Sequence, residues 1–354
     1  MKLHNIFIIT FLSLMVFACG DEKKSTLPPF SLKIDGKTEK FPLNTTLKAE
    51  ILNKEKLVIT NVDYTINDEK LINLSKNLLM LETTIPKNTL LGKQVLKATI
   101  TYDDGKTKVV SDQLTILSNI KPKIYTYKIV NTFPHDIKAY TQGLEFFRDT
   151  LFESTGRRGQ SSLRKVDYKT GKIYQKVDLD RKYFGEGITI LNDKLYMLTW
   201  ESNTGFVYNP DNLERLSTFT YQNSKQGWGL CNDGEKLFKS DGTEKIWILD
   251  PSTLKEQYAI QICDHKQTYI KANELEFIDG KIFANSYQNP SMMIINPKNG
   301  ALEGIVDFRG LKEKVTNHSQ IDVFNGIAFN AKTNTYFVTG KYWDKLFEVE
   351  ILEK

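Results

Sequence analysis

Two patterns in the sequence predict an all-β chain with two folded parts. Residues 30–117 pass through short stretches that alternate apolar and polar positions, and from about residue 125 a segment recurs five times. The first pattern reads as a small immunoglobulin-like β-sandwich, the second as a five-bladed β-propeller.

Composition is that of an ordinary globular protein, with 40% hydrophobic and 26% charged residues over 354 positions. The net charge of +5 is spread along the chain, with lysines and acids interleaved. No basic stripe carries spaced aromatics, so nucleic acid is not an expected partner. The opening MKLHNIFIITFLSLMVFAC has one early lysine, an apolar run over 6–17 and a small-residue ending. That run is short for a membrane span and reads as an export signal over 1–18. VFAC-G resembles a bacterial lipobox, which implies lipid on Cys19 and a membrane-anchored protein; the alternative is an ordinary signal that ends in cysteine. The charged, then Pro-containing stretch 19–29 reads as a tether.

The runs FSLKI, TLKAEIL, KLVITNVDYTI, LLMLETTI, KQVLKATITY and VVSDQLTIL supply the sandwich over 30–117, with turn signals such as IDGK and YDDGK between some of them. This part has no His or Cys, and reads as a spacer. SNIKPK follows, so 118–124 reads as a linker. Beyond Cys19 only Cys231 and Cys263, and His135, His265 and His318, remain; there is no HExxH or paired CxxC. No metal and no cofactor are therefore expected. The two cysteines are equally compatible with a disulfide and with buried thiols.

The repeats, over 125–354, begin TQGLEF, FGEGITI, GWGLCN, ANELEF and FNGIAF. Their equivalent positions Gly143, Gly187, Gly229, Glu274 and Gly326 lie 44, 42, 45 and 52 residues apart. Four strands per forty-odd residues is the spacing of propeller blades. The last repeat lacks a fourth strand, and YTYKIVNTF (125–133) precedes the first repeat and fits the vacancy. Joining the ends in this way would remove open sheet edges.

In a propeller the first strand of each blade lines the central channel. The residues just before the repeated position are Gln142, Glu186, Trp228, Asn273 and Asn325. Fourteen residues later stand Gly156, Trp200, Gly242 and Tyr287, with Lys341 sixteen later in the fifth repeat. The two rings would gather amides, one acid, indoles, a tyrosine and a lysine at one mouth, the usual make-up of a small-ligand pocket. Glu186 is the one carboxylate in the first ring. Walled by Phe184, Trp200 and Trp228 it would be desolvated, and its pKa would rise from about 4.3 toward neutrality. That suits a group that takes and gives a proton. A structural role, as an ion pair with Lys341 or a bridge between backbone amides in the channel, is the alternative. Gln142 and Asn273 are equally suited to closing the channel by hydrogen bonds. Trp247 and Trp343 fall outside the rings and read as packing residues, and Asp241 as a turn acid.

The strings FPHDIKAYTQGLEF, YFGEGITIL, LYMLTW, GWGL, SDGT, NELEF and VTGKYW together resemble the plant- and bacterial-type glutaminyl-peptide cyclotransferases over roughly 125–354. The resemblance implies a five-bladed propeller and the cyclisation of N-terminal glutamine to pyroglutamate with loss of ammonia, without a metal. It implies Glu186 as the catalytic acid and base, and Tyr140, Gln142, Phe184, Trp200, Trp228, Asn273, Tyr287 and Lys341 as the substrate pocket. Tyr140 stands where phenylalanine is commoner in the family, and Tyr287 where tryptophan is expected. The implied partners are peptides or proteins that begin with glutamine, acted on by a monomer. A non-catalytic, lipid-anchored propeller that binds peptide or glycan is the competing class. A metal-dependent lactonase-like propeller ranks last, since only Glu186, Asn273 and Asn325 would offer ligands.

Overall fold

The computed structural model describes residues 28–36 and 40–354. The export signal and Cys19 lie outside the described residues. Apart from one 3-10 turn at Lys312–Lys314, every regular element among the described residues is a β-strand, so the chain is all-β as expected.

Two sheets form the first part. One has three strands, Phe30–Ile34, Thr46–Asn53 and Met80–Thr84; the other runs Lys40–Pro42, Lys106–Leu117, Gly92–Tyr102, Ile59–Ile66 and Glu69–Lys70 in spatial order. Alternation decides which face is covered. In Thr46–Asn53 the side chains of Leu47, Ala49 and Ile51 are buried and their neighbours Lys48 and Glu50 exposed. Those three join Tyr64, Leu81, Leu96, Ala98, Ile100 and Ile116 in one core drawn from both sheets. Cys263 and Ala301, from the repeat region, belong to the same core. Gln261 reinforces this junction: its side-chain amide exchanges two hydrogen bonds with the Lys93 backbone, at 3.0 and 3.1 Å. Within the stretch read as a linker, Ser118 is fully buried and donates its N–H to the Asp264 carbonyl, and a strand begins at Lys123.

The second part consists of five four-stranded antiparallel units. They begin with the strands Thr141–Phe147, Gly185–Leu191, Leu230–Asn232, Ala272–Ile278 and Phe324–Asn330. In the last unit the fourth strand is Lys123–Pro134, paired antiparallel with Lys345–Glu353 over nearly its whole length. A short parallel pairing of 123–125 with 304–306 fuses the last two units into one eight-stranded sheet. First strands are innermost: every residue of Gly185–Leu191 is buried, whereas the fourth strands Lys172–Asp178 and Arg215–Thr220 are largely exposed. The turn from third to fourth strand is chemically the same in four units. Asp167, Asn209, Asp250 and Asn296 each accept, through Oδ1, the N–H two residues on, an Asx turn.

The repeated glycines have a packing cause. A Cβ on Gly143, Gly187 or Gly229 would lie 2.7, 2.6 or 1.9 Å from backbone of the next inner strand. Where Glu274 replaces glycine its carboxylate spans the gap instead, accepting from Leu144 N at 3.2 Å and Ile327 N at 2.9 Å. Glu145 and Glu276 likewise accept the N–H of Ile190 and Phe329. Burial pushes all three carboxyls up, Glu145 to about 8.

The two cysteines are not bonded to each other: Cys231 and Cys263 are buried free thiols, so of the two alternatives the structure holds the second. They sit in separate apolar clusters.

Candidate active site

A register shift at the start of the inner strand recurs in four units, at Gly185–Ile188 and at the equivalent places around Gln142, Asn273 and Asn325. A bulge re-aims a side chain that plain pleating would send elsewhere. Here it accompanies the residue before the repeated position. Glu186, Gln142, Asn273 and Asn325 are all buried, with Glu186 4% exposed.

Hydrogen bonds run through these four side chains in one direction. Asn273 Nδ2 donates to Asn325 Oδ1 at 2.9 Å. Asn325 Nδ2 donates to Gln142 Oε1 at 3.3 Å and to the Thr141 carbonyl at 3.0 Å. Gln142 Nε2 then donates to Glu186 Oε1 at 2.7 Å. Glu186 Oε2 is buried with no partner among the described residues. Gln142 thus orients the acid, its amide being used at both ends, and one carboxylate oxygen is left over. Asn325, not assigned a site role from the sequence, is the link that fixes both amides.

The cavity over Glu186 measures about 270 Å³ and is lined by all nine residues the sequence assigned to the site, Tyr140, Gln142, Phe184, Glu186, Trp200, Trp228, Asn273, Tyr287 and Lys341, together with Arg157. Its walls are ring against ring: Phe184 meets Trp200 edge-on at 5.5 Å between centroids, and Trp228 meets Tyr287 at 5.3 Å. The two glycines of the second ring are seats for these rings. A Cβ at Gly156 would lie 2.3 Å from Phe184 and one at Gly242 2.5 Å from Trp228. Gln226 Oε1 accepts both indole N–H groups, from Trp200 and from Trp228, at 2.9 Å each. The loop that carries Gln226 is anchored from below. Glu256 Oε2 accepts the N–H groups of Gln222, Asn223 and Ser224, while Oε1 accepts from the buried Lys239 ammonium at 3.0 Å.

Electrostatics oppose each other here. Burial holds the Glu186 carboxyl well above the usual carboxylate range, with the Lys341 charge and the Gln142 amide pulling it back. Burial pushes Lys341 down to about 8, opposed by Glu186 and Asp322. The structural ion pair considered from the sequence is not made: no acid lies within salt-bridge distance of Lys341 among the described residues. Its Nζ stands 4.7 Å from the Tyr140 ring centre and 5.3 Å from that of Tyr287. Lys341→Met removes the charge that favours ionised Glu186, so the Glu186 pKa rises further. The acid limb of a kcat/KM profile then moves to higher pH; a limb that stays or moves lower would contradict this coupling.

The FPHD string lies outside the pocket. His135 is buried, with Nδ1 at 2.8 Å from the Trp343 carbonyl and Nε2 at 3.0 Å from Glu153 Oε1. Arg164 pairs with Asp136 at 2.9 Å and with Glu153 at 3.5 Å. This cluster ties the incoming strand to the first and last units. Trp343 is fully buried in a core cluster, and Asp241 caps its own turn through Thr243 while accepting the Trp247 indole N–H at 2.7 Å, as expected of packing and turn residues. Among the described residues no group of three or more His, Cys, Asp or Glu is placed to hold a metal ion.

An all-β chain of repeated four-stranded sheets, with one desolvated acid in an aromatic pocket, matches a known class of acyl-transferring enzymes. The family model for glutamine cyclotransferase matches residues 104–351, and the chain belongs to that family. It is 40% identical over 238 residues to a glutaminyl-peptide cyclotransferase from Arabidopsis thaliana, an alignment covering 66% of this chain and 73% of the relative. The crystal structure of Myxococcus xanthus glutaminyl cyclase superposes with a TM-score of 0.62 at 31% identity, covering 66% of this chain and the whole of that one.

Proposed function

We propose that the protein converts the N-terminal glutamine of peptides or proteins to pyroglutamate and releases ammonia, with Glu186 as general acid and base. The observation that carries this is the free, buried Oε2 of Glu186 inside an aromatic cavity large enough for one residue. The substrate brings its own nucleophile, so the protein's tasks are folding, proton movement and charge stabilisation. The α-nitrogen attacks Cδ of the side chain and loses a proton to Glu186 Oε2. The C–N bond to the amide nitrogen breaks, and Glu186 returns that proton to the departing ammonia. The carboxylate is thus regenerated in each turnover.

The other groups have matching roles. Among the described residues no donor reaches Asn273 Oδ1, which leaves it to accept from the substrate's amide or amine. Lys341, pushed down to about 8, is an adaptable donor to the carboxamide oxygen as it turns tetrahedral. Lys341 and Arg157 both disfavour a protonated α-amine, which is the form that cannot attack. Trp200, Trp228, Phe184, Tyr140 and Tyr287 exclude water from the stem of the side chain.

The five units form, in this reading, a five-bladed propeller over 125–354. Contacts between successive inner strands, the approach of Gly326 to Leu144 and the shared last unit support it. The two sheets of 30–117 act as an immunoglobulin-like sandwich before a linker at 118–124. Export as a lipoprotein anchored at Cys19, action as a monomer and independence of metal complete the proposal; the apolar run over 6–17 and VFAC-G support the anchor.

The test is incubation with a Gln-starting peptide. A mass loss of about 17 units, the mass of ammonia, with ammonia detected and activity unchanged by a chelator, is the expected result. An unmodified peptide would overturn the enzyme reading in favour of a binding protein.

A further inference from the structure

Resting on that reading, we infer that Arg157 selects peptides with an acidic residue directly after the N-terminal glutamine. The cavity has room for about one residue, so the second residue of a substrate must lie at its rim. Arg157 lines that rim, with its side chain 46% exposed. Its guanidinium carbon lies 4.1 Å from the Tyr140 ring centre, a cation–π contact that holds it over one wall.

The group is only loosely engaged where it stands. Its ion pair with Asp322 is long, at 4.0 Å and beyond hydrogen-bond reach, and Asp322 Oδ2 already accepts the Tyr140 hydroxyl at 3.0 Å. The adjacent Arg158 is instead paired with Glu201 at 3.0 Å. Five N–H donors in a rigid fork, held over an aromatic ring in the pocket lining, suit a carboxylate. The backbone is held for this placement. Arg157 has a left-handed φ of 82°, an unfavourable region for a long side chain, and its carbonyl accepts from Gln160 N and Ser161 Oγ at 2.9 and 2.8 Å. Such conformations persist where the surroundings over-determine them, often at ligand clamps.

The experiment is competition in one mixture among peptides that differ only in the second residue, Gln-Glu, Gln-Ala and Gln-Lys, followed by mass spectrometry. The expected order of kcat/KM is Glu, Ala, Lys, with Glu over Lys roughly five- to tenfold at low salt and less as salt rises. Arg157→Gln brings the ratio near one. Arg157→Lys keeps part of it, because charge remains and the fork is lost. Arg309→Gln removes the same charge at a residue that does not line the pocket and leaves the ratio in place. A ratio unchanged in Arg157→Gln, or no preference in the parent protein, overturns the inference while leaving cyclisation standing. No turnover of any peptide would instead sink the reading on which it rests.

Discussion

Glu186→Gln lowers kcat for ammonia release from a Gln-starting peptide by roughly 10²–10⁴-fold, the usual worth of a positioned general acid–base. The substitution is nearly isosteric and neutral, and the wild-type carboxyl is already held well above its ordinary pKa by burial. It therefore adds no charge to a site that disfavours one. Thermal unfolding should stay close to that of the parent protein, and the pocket aromatics should keep their near-ultraviolet dichroism. A variant that retains most of its activity would remove Glu186 from the mechanism. Loss of both activity and fold would show that the carboxyl is structural, the alternative weighed from the sequence.

Lys239→Met has the largest expected effect on stability, a loss of about 3–5 kcal/mol, because it strands a buried carboxylate. Lys239 is fully buried, and Glu256 Oε1 is its ion-pair partner at 3.0 Å. Its ammonium also lies 4.2 Å from the Tyr221 ring centre. Glu256 is held below its ordinary pKa, with burial opposing and Lys239 and the loop N–H groups winning. A group with a depressed folded-state pKa contributes stability above its unfolded value and loses it as pH falls through the folded one. The gap between parent and variant should therefore close on acidification. The same change slackens the loop over 222–226, so Gln226 no longer fixes both indoles and KM rises more than kcat falls. Denaturant unfolding at several pH values and steady-state kinetics check the two parts separately.

Much of the site was legible because the chain repeats. A fixed spacing turns a linear string into a ring, and the residue before each repeated glycine is then placed without knowing any coordinates. Seven of the nine assigned residues come from the two rings and line one cavity for that reason; Phe184 and Tyr140, the latter supplied only by the family resemblance, line it too. What escaped is side-chain geometry. Gln226 stands two residues before Trp228 and Arg157 directly after Gly156, but their places in the chain do not say which groups they face. Asn325 was in the ring, but its role depends on which amide faces which, a matter of side-chain geometry. Lys239 and Glu256 read as surface charges by type, and only their mutual distance shows that they are buried together. The pairing state of Cys231 and Cys263 was open for the same reason. The string FPHDIKAYTQGLEF divides between two tasks: His135 and Asp136 at its start serve packing, whereas Tyr140 and Gln142 further on line the pocket.

The last four-stranded unit takes its outer strand from 123–134 and its third from Lys345–Glu353, with more than two hundred residues between them. In a polypeptide emerging vectorially, 123–134 can make only its short pairing with 304–306 until the final strand is available. Early segments must therefore wait, with one sheet margin unsatisfied, and the molecule gains its full cooperativity in a single late event.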